Sequence, residues 1–101
     1  MHKIIQNNLK ELNKLCDKYN VKSLYIFGSV LNSEFKNVSD IDILVDFKDL
    51  SIDQYTDNYF DLHHDLEKLF GRRVDLVTER SLSNPYLIKS IEESRKLLYA
   101  A

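Results

Sequence analysis

The feature that most constrains the fold is a run of eight residues, 40–47, in which side-chain character alternates. Successive side chains of a β-strand point to opposite faces, so this alternation predicts a strand. One face would carry Asp40, Asp42, Leu44 and Asp46, and the other Ile41, Ile43, Val45 and Phe47. The chain must therefore contain a sheet with one apolar face and one face bearing paired carboxylates.

Hydrophobic spacing elsewhere predicts helices on either side of this strand. Residues 3–19 and 53–70 have helical periodicity, and Gly71 stands where a C-cap glycine belongs. A last helix begins at Ser83 or Asn84 and continues through Leu98 on one face. Two more short strands are predicted at 23–27 and 73–78, and one helical turn at 29–31. The result is an α+β domain, a sheet of about three strands packed with about four helices.

Bulk composition excludes several classes of protein. The chain has 101 residues, enough for one domain spanning 1–101, and 44% of them are hydrophobic. A net charge of -2 with interspersed signs argues against a nucleic-acid binder. The single cysteine, Cys16, permits no internal disulfide, and no apolar run reaches the ~20 residues that span a bilayer. We therefore expect a cytoplasmic protein with no membrane contact.

The chemistry is concentrated in Gly28 and Ser29, followed after ten residues by Asp40, Ile41 and Asp42. Two aspartates one residue apart on a strand share a face, with Cα atoms ~6.5–7 Å apart. Their carboxylates are suitable ligands for hard cations such as Mg²⁺. A glycine at a strand end allows close approach of a phosphate, and the short helix after it offers free N–H groups. The pattern predicts a site for a metal-bound triphosphate.

Asp75 is the candidate third carboxylate. It lies in the strand predicted at 73–78 and would meet Asp42 if the two strands pair. A third carboxylate in a two-metal site activates the attacking group or bridges to the second ion. The alternative is a solvated strand residue paired with Arg72 or Arg73.

Other polar and aromatic residues favour structural roles. Asp46 lies further along the strand and is expected to be solvated or to cap the next element of the chain. His63 and Glu67 are an i,i+4 pair of the kind that stabilises a helix surface. The aromatic side chains of the same helix, Tyr55, Tyr59 and Phe60, are expected in the core or at an interface.

Gly28 and Ser29, followed after ten residues by Asp40 and Asp42, resemble the signature of the minimal nucleotidyltransferases, the MNT family of the DNA polymerase β-like superfamily. The resemblance extends over nearly the whole chain. It implies a nucleotidyltransferase fold with a mixed sheet, and transfer of a nucleoside monophosphate from a triphosphate with release of pyrophosphate. It also implies that Asp40 and Asp42 are paired metal ligands, Asp75 the third carboxylate, and Gly28 and Ser29 the triphosphate-contacting turn.

Many proteins of this kind resemble antitoxins of HEPN/MNT toxin–antitoxin modules. The resemblance implies ATP as substrate, two Mg²⁺ ions as cofactors, and a HEPN-type toxin whose tyrosine receives AMP. A homo-oligomer is left open. One departure is the stretch 30–33, Val-Leu-Asn-Ser, where family members often carry arginines. Lys36, Arg72 and Arg73 are the candidates to supply the missing charge.

The sequence leaves two other functions open. A binding module of the same fold would neutralise a partner by occlusion, with weak or vestigial nucleotide binding. The lack of charged residues at 30–33 favours this function. A metal-dependent phosphohydrolase would use the same carboxylates but pass the phosphoryl group to water.

Overall fold

A four-stranded mixed sheet forms the centre of the molecule. The computed structural model describes residues 2–31 and 39–101. The strands follow the order β3-β2-β1-β4, where β1 is antiparallel to both of its neighbours and β2 and β3 run parallel. Their bounds are β1 Val21–Phe27, β2 Ile41–Phe47, β3 Val74–Thr78 and β4 Lys96–Ala100. The predicted mixed α+β architecture is confirmed, with one strand more than expected.

Helices precede and connect these strands. They are α1 Lys3–Gln6, α2 Leu9–Lys18, α3 Ile52–Phe70 and α4 Pro85–Ser94, and two single 3₁₀ turns span Gly28–Leu31 and Glu79–Ser81. The helix predicted over 3–19 is interrupted between α1 and α2, where the Asn8 side chain donates a hydrogen bond to the Ile4 carbonyl at 2.7 Å. Asparagine competes for backbone groups in this way, which explains the break.

The long helix α3 has strong signals at both ends. Ser51 and Gln54 form a reciprocal capping box at its start, and Gly71 ends it in the left-handed conformation with φ 64°. Leu62, Leu66 and Phe70 are buried along one stripe. These signals explain why this helix is the most predictable element of the chain.

The hydrophobic core lies between one face of the sheet and the helices α2 and α3. Its sheet side includes Leu24, Ile26, Ile41, Ile43, Val45, Val74 and Leu76, all buried in one cluster with residues of those helices. The burial of each large side chain contributes about 1.5–3 kcal/mol. The acidic residues of β2 and β3 therefore lie on the opposite face, away from the core.

The C-terminal segment differs from the prediction. The last helix was expected to continue through Leu98, but α4 ends at Ser94, and Arg95 is extended with ψ 145°. Residues Lys96–Ala100 pair antiparallel with β1, with Tyr99 opposite Leu24. The free edge of β1 offers main-chain hydrogen bonds that a helical continuation would forgo, so tertiary pairing overrides the local periodicity.

Within the described ranges, no helix combines the length and apolarity needed to cross a membrane.

Candidate active site

The parallel pairing of β2 and β3 brings two of the candidate carboxylates to neighbouring positions. Asp42 is the register partner of Asp75, and on its other side it faces Phe27 at the end of β1. Directly opposed residues project to the same face of a sheet, so both carboxylates lie on the face opposite the main core. Leu44 on that face is buried, so the face is partly covered. Asp40 precedes β2 and is half-buried. The strand pairing on which the third carboxylate depended is therefore present.

Gly28 follows β1 directly and lies against Asp42. Its φ is +76°, and a Cβ atom placed on it would lie 2.3 Å from Asp42 Oδ2. Any side chain here would collide with that carboxylate, and the left-handed backbone would be strained as well. From the sequence, we expected this glycine to admit a phosphate. The structure shows that the lack of a side chain at Gly28 leaves space for the Asp42 carboxylate.

Asp42 is the electrostatically strained member of the group. Partial burial raises its carboxyl pKa to about 6, and the negative charges of Asp75 and Asp40 act in the same direction. A carboxylate that is desolvated and faces two like charges favours a proton or a cation. Perturbation of this kind is typical of functional sites.

Two arginines lie beside Asp40. Arg73 Nε is 3.5 Å from Asp40 Oδ1, on a side chain that is 84% exposed. Arg72 Nη1 donates to the Ser39 carbonyl at 3.2 Å. Arg72 and Arg73, two of the three candidates for the missing positive charge, are thus near the acidic group. The third candidate, Lys36, lies outside the described residues.

The turn after Gly28 is short and mostly apolar. Gly28–Leu31 is a single 3₁₀ turn in which Ser29 is half-buried and Val30 is buried. Val30 belongs to the core cluster, and Leu31 packs against it. These positions serve packing, and the rest of the 30–33 stretch lies beyond the described residues. A helical turn this short has little dipole to offer, so an anion here would depend on individual N–H donors.

The donor set suits a hard cation bound jointly with a ligand. Among the residues described, no three His, Cys, Asp or Glu side chains are close enough to hold a metal by themselves. Mg²⁺ is usually bound by one or two carboxylates together with substrate phosphates and waters, rather than by a complete protein cage. The all-oxygen group around the strained Asp42 fits that mode of binding.

Residues outside the acidic group have other surroundings. Asp46 is half-buried opposite Ser23, two pairs beyond Leu44 in the register. Cys16 is fully buried, and burial raises its thiol pKa to about 12. Phe60 is 63% exposed, in contrast to the half-buried Tyr59.

Sequence reasoning missed one group of contacts next to Asp75. His63 and Glu67, expected to form only a surface pair, both bond to the backbone of Val74, and Tyr59 bonds to Leu76. The i,i+4 spacing of these three residues could have indicated a common surface. It could not have indicated which strand that surface faces.

A mixed sheet with an aspartate pair at the start of β2, a partner aspartate on β3 and a glycine turn against them defines the nucleotidyltransferase class of enzymes. The sequence model of the family described as Nucleotidyltransferase domain matches residues 9–98. The chain belongs to this family.

The chain is also similar to named proteins of archaea. It is 47% identical over 79 residues to the putative protein adenylyltransferase MJ1379 of Methanocaldococcus jannaschii, an alignment that covers 78% of each chain. It is 38% identical over 71 residues to the protein adenylyltransferase MntA of Thermococcus cleftensis, covering 70% of this chain and 69% of the relative.

Solved structures with the same fold include toxin–antitoxin complexes. A toxin–antitoxin structure with AMP-PNP superposes with a TM-score of 0.72 at 28% identity, covering 93% of this chain and 74% of that one. A tri-AMPylated Shewanella oneidensis HEPN toxin in complex with its MNT antitoxin gives 0.66 at 28% identity, with 95% and 72% covered. The structure of a putative minimal nucleotidyltransferase gives a TM-score of 0.69 at 27% identity, with 93% of this chain and 92% of that one covered.

Proposed function

We propose that this protein transfers AMP from ATP to a hydroxyl group, namely a tyrosine of a partner toxin of the HEPN type, and thereby acts as an antitoxin. The observation that carries the proposal is the juxtaposition of Asp42 with Asp75 and with Gly28 on the face of the sheet opposite the main core. The names of the relatives and the AMPylated toxin in a similar complex support AMP as the group and a toxin as its acceptor.

The reaction forms one phosphorus–oxygen bond, breaks another, and moves one proton. The acceptor hydroxyl oxygen bonds to the α-phosphorus of ATP, and the bond from that phosphorus to the oxygen bridging toward the β-phosphorus breaks. Pyrophosphate leaves with the bridging oxygen, and the hydroxyl proton passes to Asp75. Catalysis of this kind depends mainly on positioning and charge neutralisation.

Each residue of the site has an assigned role in this proposal. Asp40 and Asp42 would hold Mg²⁺, two ions in all, with Asp75 as the third carboxylate, and Gly28 and Ser29 would seat the phosphates. Bound Mg²⁺ would neutralise charge that develops on the phosphates. Arg73, which lies beside Asp40, is the described cation best placed to meet the triphosphate.

A second candidate is a binding module that neutralises its partner by complex formation alone. One observation favours it: Val30 and Leu31 have apolar side chains that pack into or against the core. Neither position therefore supplies a positive charge that could bind a phosphate. The strained Asp42 opposes it, because a vestigial site would gain stability by losing that carboxylate.

The test uses ATP labelled at the α- or the γ-phosphate, Mg²⁺, and the product of the neighbouring gene as the candidate toxin. We expect label from α-labelled ATP, and none from γ-labelled ATP, to become bound to the toxin, and mass spectrometry to find AMP on a tyrosine. Asp42→Asn should abolish the transfer while leaving complex formation intact.

Two results would contradict the enzyme. A stable complex that forms without label transfer, equally for wild type and Asp42→Asn, would establish the binding module instead. Release of free phosphate from the γ-position with no label on protein would indicate a phosphohydrolase.

A further inference from the structure

The outer edge of β3 has no strand neighbour among the described residues, because β3 ends the sheet that they form. The Arg73 carbonyl accepts a hydrogen bond from the Ile41 amide on β2 at 3.1 Å. Alternate residues of a strand direct their backbone groups to opposite sides, so Val74 and Leu76 present theirs outward. These are the two residues that flank Asp75, and unpaired edge groups there would leave a short strand free to fray.

One face of α3 supplies the missing partners. Glu67 Oε2 accepts from the Val74 amide at 2.9 Å, and His63 Nε2 donates to the Val74 carbonyl at 2.8 Å. The Tyr59 hydroxyl donates to the Leu76 carbonyl at 2.7 Å. Three side chains spaced four residues apart along one helix thus occupy three backbone groups around a single acidic residue.

The three side chains also support one another. The rings of Tyr59 and His63 are stacked with centroids 6.4 Å apart and planes inclined by 13°. His63 Nε2 lies 3.8 Å from Glu67 Oε2. All three are half-buried, so their bonds are better protected from solvent than those of a fully exposed surface pair.

We infer that Tyr59, His63 and Glu67 are positioning residues that hold the β3 backbone so that Asp75 faces Asp42. We call this group the α3 clamp. Asp75 itself is exposed, and the described part of the chain places no strand on its outer side, so the backbone is the means by which its carboxylate can be fixed. The inference rests on the proposed role of Asp75 in AMP transfer.

The first test is a comparison of four variants in the transfer assay. Glu67→Ala and Tyr59→Phe each remove one clamp bond, and we expect kcat to fall about ten-fold, because misplacement of a reacting group by fractions of an ångström is costly. The KM for ATP should stay within about two-fold, because Asp40, Asp42 and Gly28 are untouched. Glu67→Gln keeps an acceptor for the Val74 amide and should restore most of kcat.

His64→Ala is the matched control, because His64 neighbours His63 on the helix but is exposed. It should leave kcat and KM unchanged. Wild-type kcat in both Glu67→Ala and Tyr59→Phe would overturn the inference. An equal loss of kcat in Glu67→Gln and His64→Ala would also overturn it, since that pattern indicates general damage to α3.

A measurement independent of catalysis separates the clamp from the proposed function. In hydrogen-exchange NMR experiments, the Asp75 amide should exchange at least about three-fold faster in Glu67→Ala than in the wild type, because a frayed strand opens more often, whereas His64→Ala should leave its exchange rate unchanged. Equal exchange rates of the Asp75 amide in the wild type and Glu67→Ala would overturn the clamp even if AMP transfer is intact. An inactive wild type that still shows the difference would overturn the proposed reaction and leave the clamp standing.

Discussion

At the residue scale, Asp42 shows which part of the site can be read from sequence. Alternation along residues 40–47 predicts that Asp40 and Asp42 share a face, and this prediction needs only the geometry of a strand. The proximity of Asp42 to Asp75 depends on the pairing of two strands that are distant in the chain. A single sequence indicates such pairing only through its resemblance to a known family. The contact of Gly28 with Asp42 was not predictable at all, since it depends on the path of the turn.

Gly28→Ala tests the close approach to Asp42. We expect a loss of stability of about 1–2 kcal/mol from the left-handed backbone alone, and more from the collision with the carboxylate. Nucleotide transfer should be lost as Asp42 is displaced. Urea denaturation and the transfer assay measure the two effects.

Gly71→Ala is the matched control for that change. Gly71 has a similar φ of +64°, but a Cβ there meets nothing within 4 Å. It should cost the same backbone penalty of about 1–2 kcal/mol and leave transfer intact. Equal effects of the two substitutions on transfer would contradict the assigned contact.

Asp42→Asn tests the electrostatic strain through its pH dependence. The folded-state pKa of Asp42, about 6, lies above the ordinary value of 3.8. Between these two pH values the native state therefore keeps a proton on Asp42 that the unfolded state has already released. Stability therefore falls as pH rises through this window, and the penalty is complete above the folded-state pKa. The asparagine removes it.

In metal-free buffer at about pH 7.5 we expect Asp42→Asn to melt about 4 °C higher than wild type, which corresponds to about 1 kcal/mol for a partly solvated group in a domain of this size. At about pH 4 the two proteins should melt within about 1 °C of each other, because the carboxyl is then protonated in the native state. A variant that is less stable than wild type at the higher pH would contradict the strain.

At the scale of elements, local signals predicted the helices with caps and the strands with alternation. Hydrophobic spacing and Gly71 mark α3 in the sequence. Burial alternates along β3 and, apart from the buried Leu44, along β2. The α3 clamp was invisible because its residues have the pattern of an ordinary helix surface. The C-terminal strand was missed because Leu87, Ile91 and Leu98 continue a helical period that the free edge of β1 overrides.

Removal of residues 96–101 tests the corrected assignment of β4. The deletion exposes the edge of β1, including Leu24 and its neighbours, which β4 covers. We expect a loss of at least about 2 kcal/mol and concentration-dependent association through the open edge. Chemical denaturation and analytical ultracentrifugation measure these effects.

Replacement of Leu97 by Thr is the control, since its side chain is 54% exposed and threonine favours strands. It should change stability by less than about 0.5 kcal/mol. A monomeric, fully stable truncated chain would show that β4 does not contribute to the fold.

At the scale of the whole molecule, the fold separates stability from chemistry. The helices α2 and α3 cover one face of the sheet and bury the main core, whereas the opposite face buries Leu44 and also presents Asp42 and Asp75. The buried residues form a cluster that includes residues of α1, α2, α3 and the strands β1, β2 and β3. This arrangement lets a chain of 101 residues carry both a core and a reaction site.

The proposed chemistry depends above all on Asp40, Asp42 and Asp75 binding the metal ions that hold a nucleoside triphosphate beside Gly28 and Ser29. The most direct measurement is a crystal structure with AMP-PNP and Mn²⁺, with anomalous scattering used to locate the manganese. We predict anomalous peaks within about 2.3 Å of carboxylate oxygens of Asp42 and Asp75, with the triphosphate against Gly28. Nucleotide bound elsewhere, or manganese that does not contact Asp42, would contradict this assignment.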